Sequence, residues 1–187
     1  MDNNYIFQYW EGIQNGTVTV GKWIKTIYEI LVNGLKSGKW DFDEEKANKA
    51  INFIENFCHH SEGRNDLLKL ELWQKAIVSA IFGIMDKRTG YRQFREVFIV
   101  VARKNGKTLF AAAIAAYMAY IDGEYGAKVY FLAPKLDQAD LVYDAFYQIV
   151  QADDELDSIT KKRRSDIYIK EFNASVKTVS YTHLTLP

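Results

Sequence analysis

The strongest constraint in this sequence is a short polar stretch, Ala102-Arg103-Lys104-Asn105-Gly106-Lys107-Thr108, held between two apolar segments of different period. Before it, Glu96-Val97-Phe98-Ile99-Val100-Val101 is a continuous run of the kind found in strands buried on both faces. After it, residues 108–121 are alanine-rich and apolar nearly all round, which predicts a helix buried on every side. A second apolar run, Lys128-Val129-Tyr130-Phe131-Leu132-Ala133, is closed by Pro134. Ala139, Val142, Phe146, Ile149 and Val150 then recur at helical spacing. Strand, helix, strand, helix in this order predicts a right-handed βαβ unit. Strands 96–101 and 128–133 are expected side by side in one parallel sheet, with helices flanking it. The fold class is α/β.

The flanking regions read differently. Ile6, Tyr9, Trp10 and Ile13 form a helical stripe that stops at Asn15-Gly16. Trp23, Ile24, Ile27, Tyr28, Leu31 and Leu35 form a second, ended by Gly38. Asp41 and Glu44 have the spacing of a capping box, and Ala47, Ala50, Ile51, Ile54 and Phe57 follow as a third stripe. A polar break at residues 61–66 suggests a boundary, so residues 1–66 are expected to be a helical leader packed as a separate layer. Leu72, Trp73, Ala76, Ile77, Ala80, Ile81 and Ile84 mark a further helix. Residues 166–169 and 175–179 read as a hairpin around Asn173. Residues 180–187 have no period and resemble a translated adaptor, so the second region is taken as 67–179 and the tail is set aside as non-native.

Composition narrows the classes. Hydrophobic residues make up 48%, enough for a packed core, which excludes a disordered chain. Lys+Arg and Asp+Glu balance at 24 each, so net charge announces no polyanionic partner, although a local patch can still hold phosphates. Cys58 is the single cysteine, which rules out an internal disulfide and suits a reducing compartment. The N-terminus lacks a basic segment followed by an apolar one, so an intracellular chain is expected.

The polar stretch carries the chemistry. Where a strand turns into a helix, backbone amides and the helix dipole favour an anion. Gly106 lets the backbone come close to phosphates, Lys107 reaches the β- and γ-phosphates, and the Thr108 hydroxyl holds Mg²⁺. Arg103 and Lys104 add neighbouring charge. The usual phosphate loop opens with glycine five residues before Gly106, and here that position is Val101. A plain turn with a surface lysine is the competing account.

With its flanks, the loop resembles that of large terminases from tailed bacteriophages, whose variant has a small residue, then Arg-x-x-Gly-Lys-Thr/Ser. Leu72-Trp73-Gln74 is similar to the family's adenine-contact region. Thr89-Gly90-Tyr91-Arg92-Gln93-Phe94-Arg95 is similar to the lead into its first strand. Residues 129–139, ending Gln138-Ala139, are similar to its next strand, turn and helix, and Trp40-Asp41-Phe42-Asp43 to its leader. The resemblance implies the N-terminal part of an ATPase domain that uses ATP and Mg²⁺. It implies nucleotide contacts from Gln74 and from Arg103, Lys104, Asn105, Gly106, Lys107 and Thr108, with Arg103 sensing the γ-phosphate and Lys107 acting on it. The partners it implies are double-stranded viral DNA, a small terminase subunit, the portal and procapsid, and further copies of the full-length chain, in the cytoplasm of an infected bacterium. The family also carries a nuclease domain and, on a later strand, an acidic Mg²⁺ signature, neither of which occurs in this sequence. Another phosphate-loop NTPase, such as part of a helicase, is the alternative.

Other features read as structural. Cys58-His59-His60 lacks a second ligand pair and is expected at a helix end. Lys161-Lys162-Arg163-Arg164 is expected as a solvated turn between helix and strand, and Trp10, Trp23 and Trp40 as leader core.

Overall fold

A computed structural model describes residues 4–60 and 66–180. They form two compact units that interleave along the chain: Met1–Asn52 with Lys69–Ile99, and Phe53–Leu68 with Val100–Pro187. The break expected at residues 61–66 falls almost entirely outside the described residues, as does the tail beyond Ser180.

The first unit is mainly helical. Helix α1 (Tyr5–Gln14) begins where Asn4 Oδ1 accepts the Ile6 amide at 3.0 Å, which satisfies an orphan donor of the first turn. It buries Ile6, Tyr9, Trp10 and Ile13, the stripe expected of it. Helix α2 (Lys22–Lys36) buries Tyr28, Leu31 and Val32. Trp23, expected in the core, is instead 75% exposed, and Ile24 and Ile27 are exposed with it. The apolar arc of α2 is wider than the roughly 100° stripe that one neighbouring layer covers, so only one side packs.

Trp40 is buried as expected and meets Phe94 edge-on at 5.5 Å. Its ring lies so close to Gly34 that a Cβ there would overlap it. Strand β1 (Asp41–Phe42) then leads to helix α3 (Glu44–Phe57). The cap of α3 is Asp43, whose Oδ1 accepts from Lys46 at 2.9 Å. The box expected on Asp41 does not form, because Asp41 is drawn into β1 and faces Lys87 Nζ at 3.4 Å. Helix α4 (Leu72–Gly83) runs into strand β2 (Ile84–Met85), which pairs antiparallel with β1. Among residues 4–60 the regular structure is thus helical apart from β1, and that strand pairs outside the larger sheet.

The second unit holds the α/β part. Helix α5 (Lys107–Tyr120) buries Phe110, Ala112, Ala113, Ala115, Ala116, Tyr117, Ala119 and Tyr120, but the stripe of Lys107, Ala111 and Met118 is exposed, so the burial expected on every side stops short of one face. Strand β3 (Lys128–Ala133) and helix α6 (Leu136–Ala152) follow. After them come helix α7 (Asp154–Ile159), strands β4 (Thr160–Lys162) and β5 (Ile167–Ile169), and strand β6 (Ala174–Ser180). The sheet order is β3-β6-β5-β4. β3 and β6 are parallel, while β5 is antiparallel to both β6 and β4. The β5–β6 hairpin turns at Asn173, at φ 51, as its position in the sequence suggested. Lys161 and Lys162 lie in β4, so the basic run begins in a strand and only then enters a turn.

The expected strand 96–101 does not form. The run has no ladder partner among the described residues, and Phe98 is 93% exposed. The parallel pair is made by β3 with β6 instead, through the crossover that contains α6. An apolar run specifies that a segment suits burial, but a strand also needs a free edge beside it.

Two substitutions test these packings by denaturant titration. Ala113→Asp places an uncompensated charge in the buried face of α5 and should cost about 3–5 kcal/mol. Gly34→Ala should lose about 1–3 kcal/mol to overpacking against Trp40, although alanine favours helix. An unchanged midpoint for Gly34→Ala would mean that the Trp40 ring gives way.

Candidate functional site

The loop before α5 has an unusual backbone. Lys104 lies at φ 66 and Gly106 at φ 64, whereas Arg103 and Asn105 keep negative φ. Alternation of hand turns successive amides toward one side, which makes a concave anion-binding nest. Gly106 is the N-cap of α5 and supplies no side-chain hydrogen bond to it. Nothing lies within 4 Å of where its Cβ would be, so the left-handed φ is what calls for glycine here, and the space above it is open. Lys104 adopts the same hand without glycine's freedom, at a cost of roughly 1–2 kcal/mol. Asn105 braces the turn, its Nδ2 donating to the carbonyls of Ala102 and Arg103, each at 3.3 Å.

The nest opens into a cavity of about 530 Å³. Lys104, Gly106, Lys107 and Thr108 line one part of it. His60, Leu141, Asp144, Ala145 and Gln148 also line it. The four from α6 share one helical face, spaced about a turn apart. Lys104 and Lys107 are exposed and make no ion pair among the described residues. Two cations and a helix N-terminus make this end of the cavity suited to a polyphosphate. Of the site residues named from the sequence, the cavity gathers Lys104, Gly106, Lys107 and Thr108. Arg103 and Asn105 flank it without lining it.

Gln74 belongs to the other compact unit. It is buried on α4, and its Oε1 accepts the Glu71 amide at 2.9 Å, so its carbonyl serves the start of its own helix. His60, Asp144 and Gln148 were not legible as site residues. His60 follows the end of α3, and the two α6 residues occupy the polar side of an amphipathic helix, where the sequence offers no reason to single them out.

Cys58 lies just past the end of α3, as expected, while His60 lines the cavity. The cysteine is wholly buried, and its carbonyl accepts from Leu68 at 2.7 Å. Burial, reinforced by the charge of Asp153, pushes its thiol up to about 12. No cluster of metal-ligating side chains occurs among the described residues. The thiol should therefore resist modification near neutral pH, since only its thiolate reacts and that form is disfavoured until far into the alkaline range. Thiol-reagent labelling at pH 7 and pH 9 tests this, and rapid labelling of the folded chain at pH 7 would contradict it.

No curated protein matches the sequence. Among solved structures, the fold is similar to the large terminase of bacteriophage HK97, with a TM-score of 0.64 and 24% identity. That match covers 76% of this chain and 29% of the HK97 chain, so the chain spans less than a third of that protein's length. A family model described as the terminase large subunit, ATPase domain, matches residues 72–183. The matched segment takes in the loop, α5, β3, α6 and the β5–β6 hairpin. That is more than half of the 187 residues, and the chain belongs to the terminase large-subunit ATPase-domain family.

Proposed function

We propose that this chain supplies the nucleotide-binding part of a phage DNA-packaging motor, in which ATP hydrolysis drives double-stranded DNA into a procapsid. The observation that carries the reading is the alternating-hand loop at the start of α5, opening into a cavity lined by Lys104, Gly106, Lys107 and Thr108. In this reading the loop amides hold the phosphates of Mg-ATP. Lys107 places its charge on the β- and γ-phosphates, and the Thr108 hydroxyl is a ligand of Mg²⁺. Arg103, beside the nest, answers to the γ-phosphate.

The residues fit Mg-ATP in charge and in kind. The cavity has cations for a triphosphate, and a hydroxyl that suits a hard divalent ion. Among the described residues, Asp144 is the one carboxylate lining it. No carboxylate at the end of a strand, of the kind that positions water in phosphoryl transfer, lines the cavity among the described residues. Residues 1–187 are therefore proposed to bind ATP without turning it over. The DNA, a small subunit, the portal and further copies of the full-length chain complete the proposed assembly, in the cytoplasm of an infected bacterium.

Labelled Mg-ATP titrated against residues 1–187 should show weak binding, and phosphate release should be negligible. Lys107→Ala should lower affinity roughly ten- to a hundredfold, the equivalent of about 1.5–3 kcal/mol for hydrogen bonds to a charged group. Lys104→Ala should matter much less, because the loop amides remain. Binding indifferent to Lys107 would remove the phosphate-loop reading. Robust turnover would show that a catalytic carboxylate lies within these residues.

A further inference from the structure

The four consecutive cations Lys161, Lys162, Arg163 and Arg164 occupy β4 and the turn that joins it to β5. All four are exposed, and none forms an ion pair among the described residues. The turn contains one carboxylate, Asp166, which is 6% exposed and lies 3.9 Å from Lys177 Nζ. The sequence as a whole is neutral, so this is a local concentration of positive charge with no partner of its own.

Aromatic rings fix two of the cations. Lys162 Nζ sits 4.1 Å from the Tyr147 ring centroid and 5.9 Å from that of Tyr143, both on α6. The Arg163 guanidinium lies 3.6 Å from the Tyr168 ring on β5. Such contacts are favourable and hold these two side chains in place, which fixes the positive field of the hairpin. The backbone is fixed as well, since the Arg163 amide donates to the Asp166 carbonyl at 2.7 Å. Lys161 and Arg164 make no ring contact and remain free to reach outward.

The turn also has a telling position. β6 is parallel to β3 and antiparallel to β5, so the β4–β5 turn leaves the sheet toward the carboxyl ends of β3 and β6. That is the end of an α/β sheet where ligands bind. β4 is the outer strand, so no further strand covers the turn among the described residues.

We propose that the β4–β5 hairpin is a contact surface for the phosphate backbone of duplex DNA. Lys161 and Arg164 contact phosphates, while Lys162 and Arg163, seated on their tyrosines, set the hairpin's shape and field. Choosing duplex DNA among polyanions rests on the packaging reading above. Recognition is by charge and carries no sequence preference, because nothing in the turn is arranged to read base edges.

The test uses a labelled duplex of roughly 30 base pairs, titrated by anisotropy between about 50 and 200 mM salt. Wild type should bind with a steep salt dependence. Lys161→Gln/Arg164→Gln should reduce the slope of log affinity against log salt by about 2 and weaken binding roughly tenfold or more. Lys161→Arg/Arg164→Lys should restore both. Lys22→Gln/Lys25→Gln removes the same net charge on α2 and should change neither. Thermal midpoints check that the variants fold. The inference is overturned if wild type fails to bind duplex, if the hairpin variant keeps its slope, if the α2 variant loses as much, or if single-stranded RNA of equal length binds more tightly. ATP titrations on the same samples separate the two readings. Intact Lys107-dependent ATP binding with no hairpin effect sinks this inference alone, whereas hairpin-dependent DNA binding without ATP binding sinks the nucleotide site alone.

Discussion

Alanines 112, 113, 115, 116 and 119 are buried along α5, and their small side chains allow the helix backbone to lie close to its neighbours. Aromatic rings fill the remaining space. Tyr120 stacks on Phe53 at 6.4 Å and on Phe146 of α6 at 6.3 Å, and Phe146 in turn meets Phe131 of β3. The Tyr120 hydroxyl, deep in this packing, has its hydrogen bond with Thr160 Oγ1 at 2.6 Å, so burial leaves no orphan there. A helix held by these contacts cannot shift along its axis without breaking them. Its first turn, and the amides of the loop before it, are thereby fixed by the core rather than by the surface.

This arrangement explains how an exposed loop sustains a left-handed lysine. Sparsely populated backbone states persist only where the surroundings over-determine them. Here α5 fixes one end of the loop, and the Asn105 side chain ties the turn to its own carbonyls. The same core carries α6, whose outer face brings Leu141, Asp144 and Gln148 to the cavity, and whose tyrosines seat Lys162 of the hairpin. Apolar packing thus positions charge in two places of one unit.

Where structure follows from neighbours a few residues apart, the sequence could be read directly. The stripes of α1 and α3, the buried body of α5, strand β3 and the turn at Asn173 all come from local period or a single left-handed residue. The loop before α5 was legible for the same reason: Gly-Lys-Thr placed at the head of an apolar helix is a local pattern. Reading became unreliable where two distant segments compete. Trp23 belongs to an apolar arc too wide for one partner, and period alone does not say which side is covered. Asp41 has a helix-capping spacing, yet the strand pairing with Met85 takes it first and leaves the cap to Asp43.

The sequence by itself determined helices α1 to α6 and where the helix-start loop lies, because side-chain period and backbone preference act within a few residues; the short helix α7 was not foreseen. Tertiary structure decided the sheet. It paired β3 with β6 and left residues 96–101 without a ladder, because strand hydrogen bonds are made to whichever edge is free and no residue announces its partner. It also decided the far part of the cavity. His60, Asp144 and Gln148 are ordinary polar residues in the sequence, and only the packing of α6 and the segment after α3 within that unit brings them to the loop.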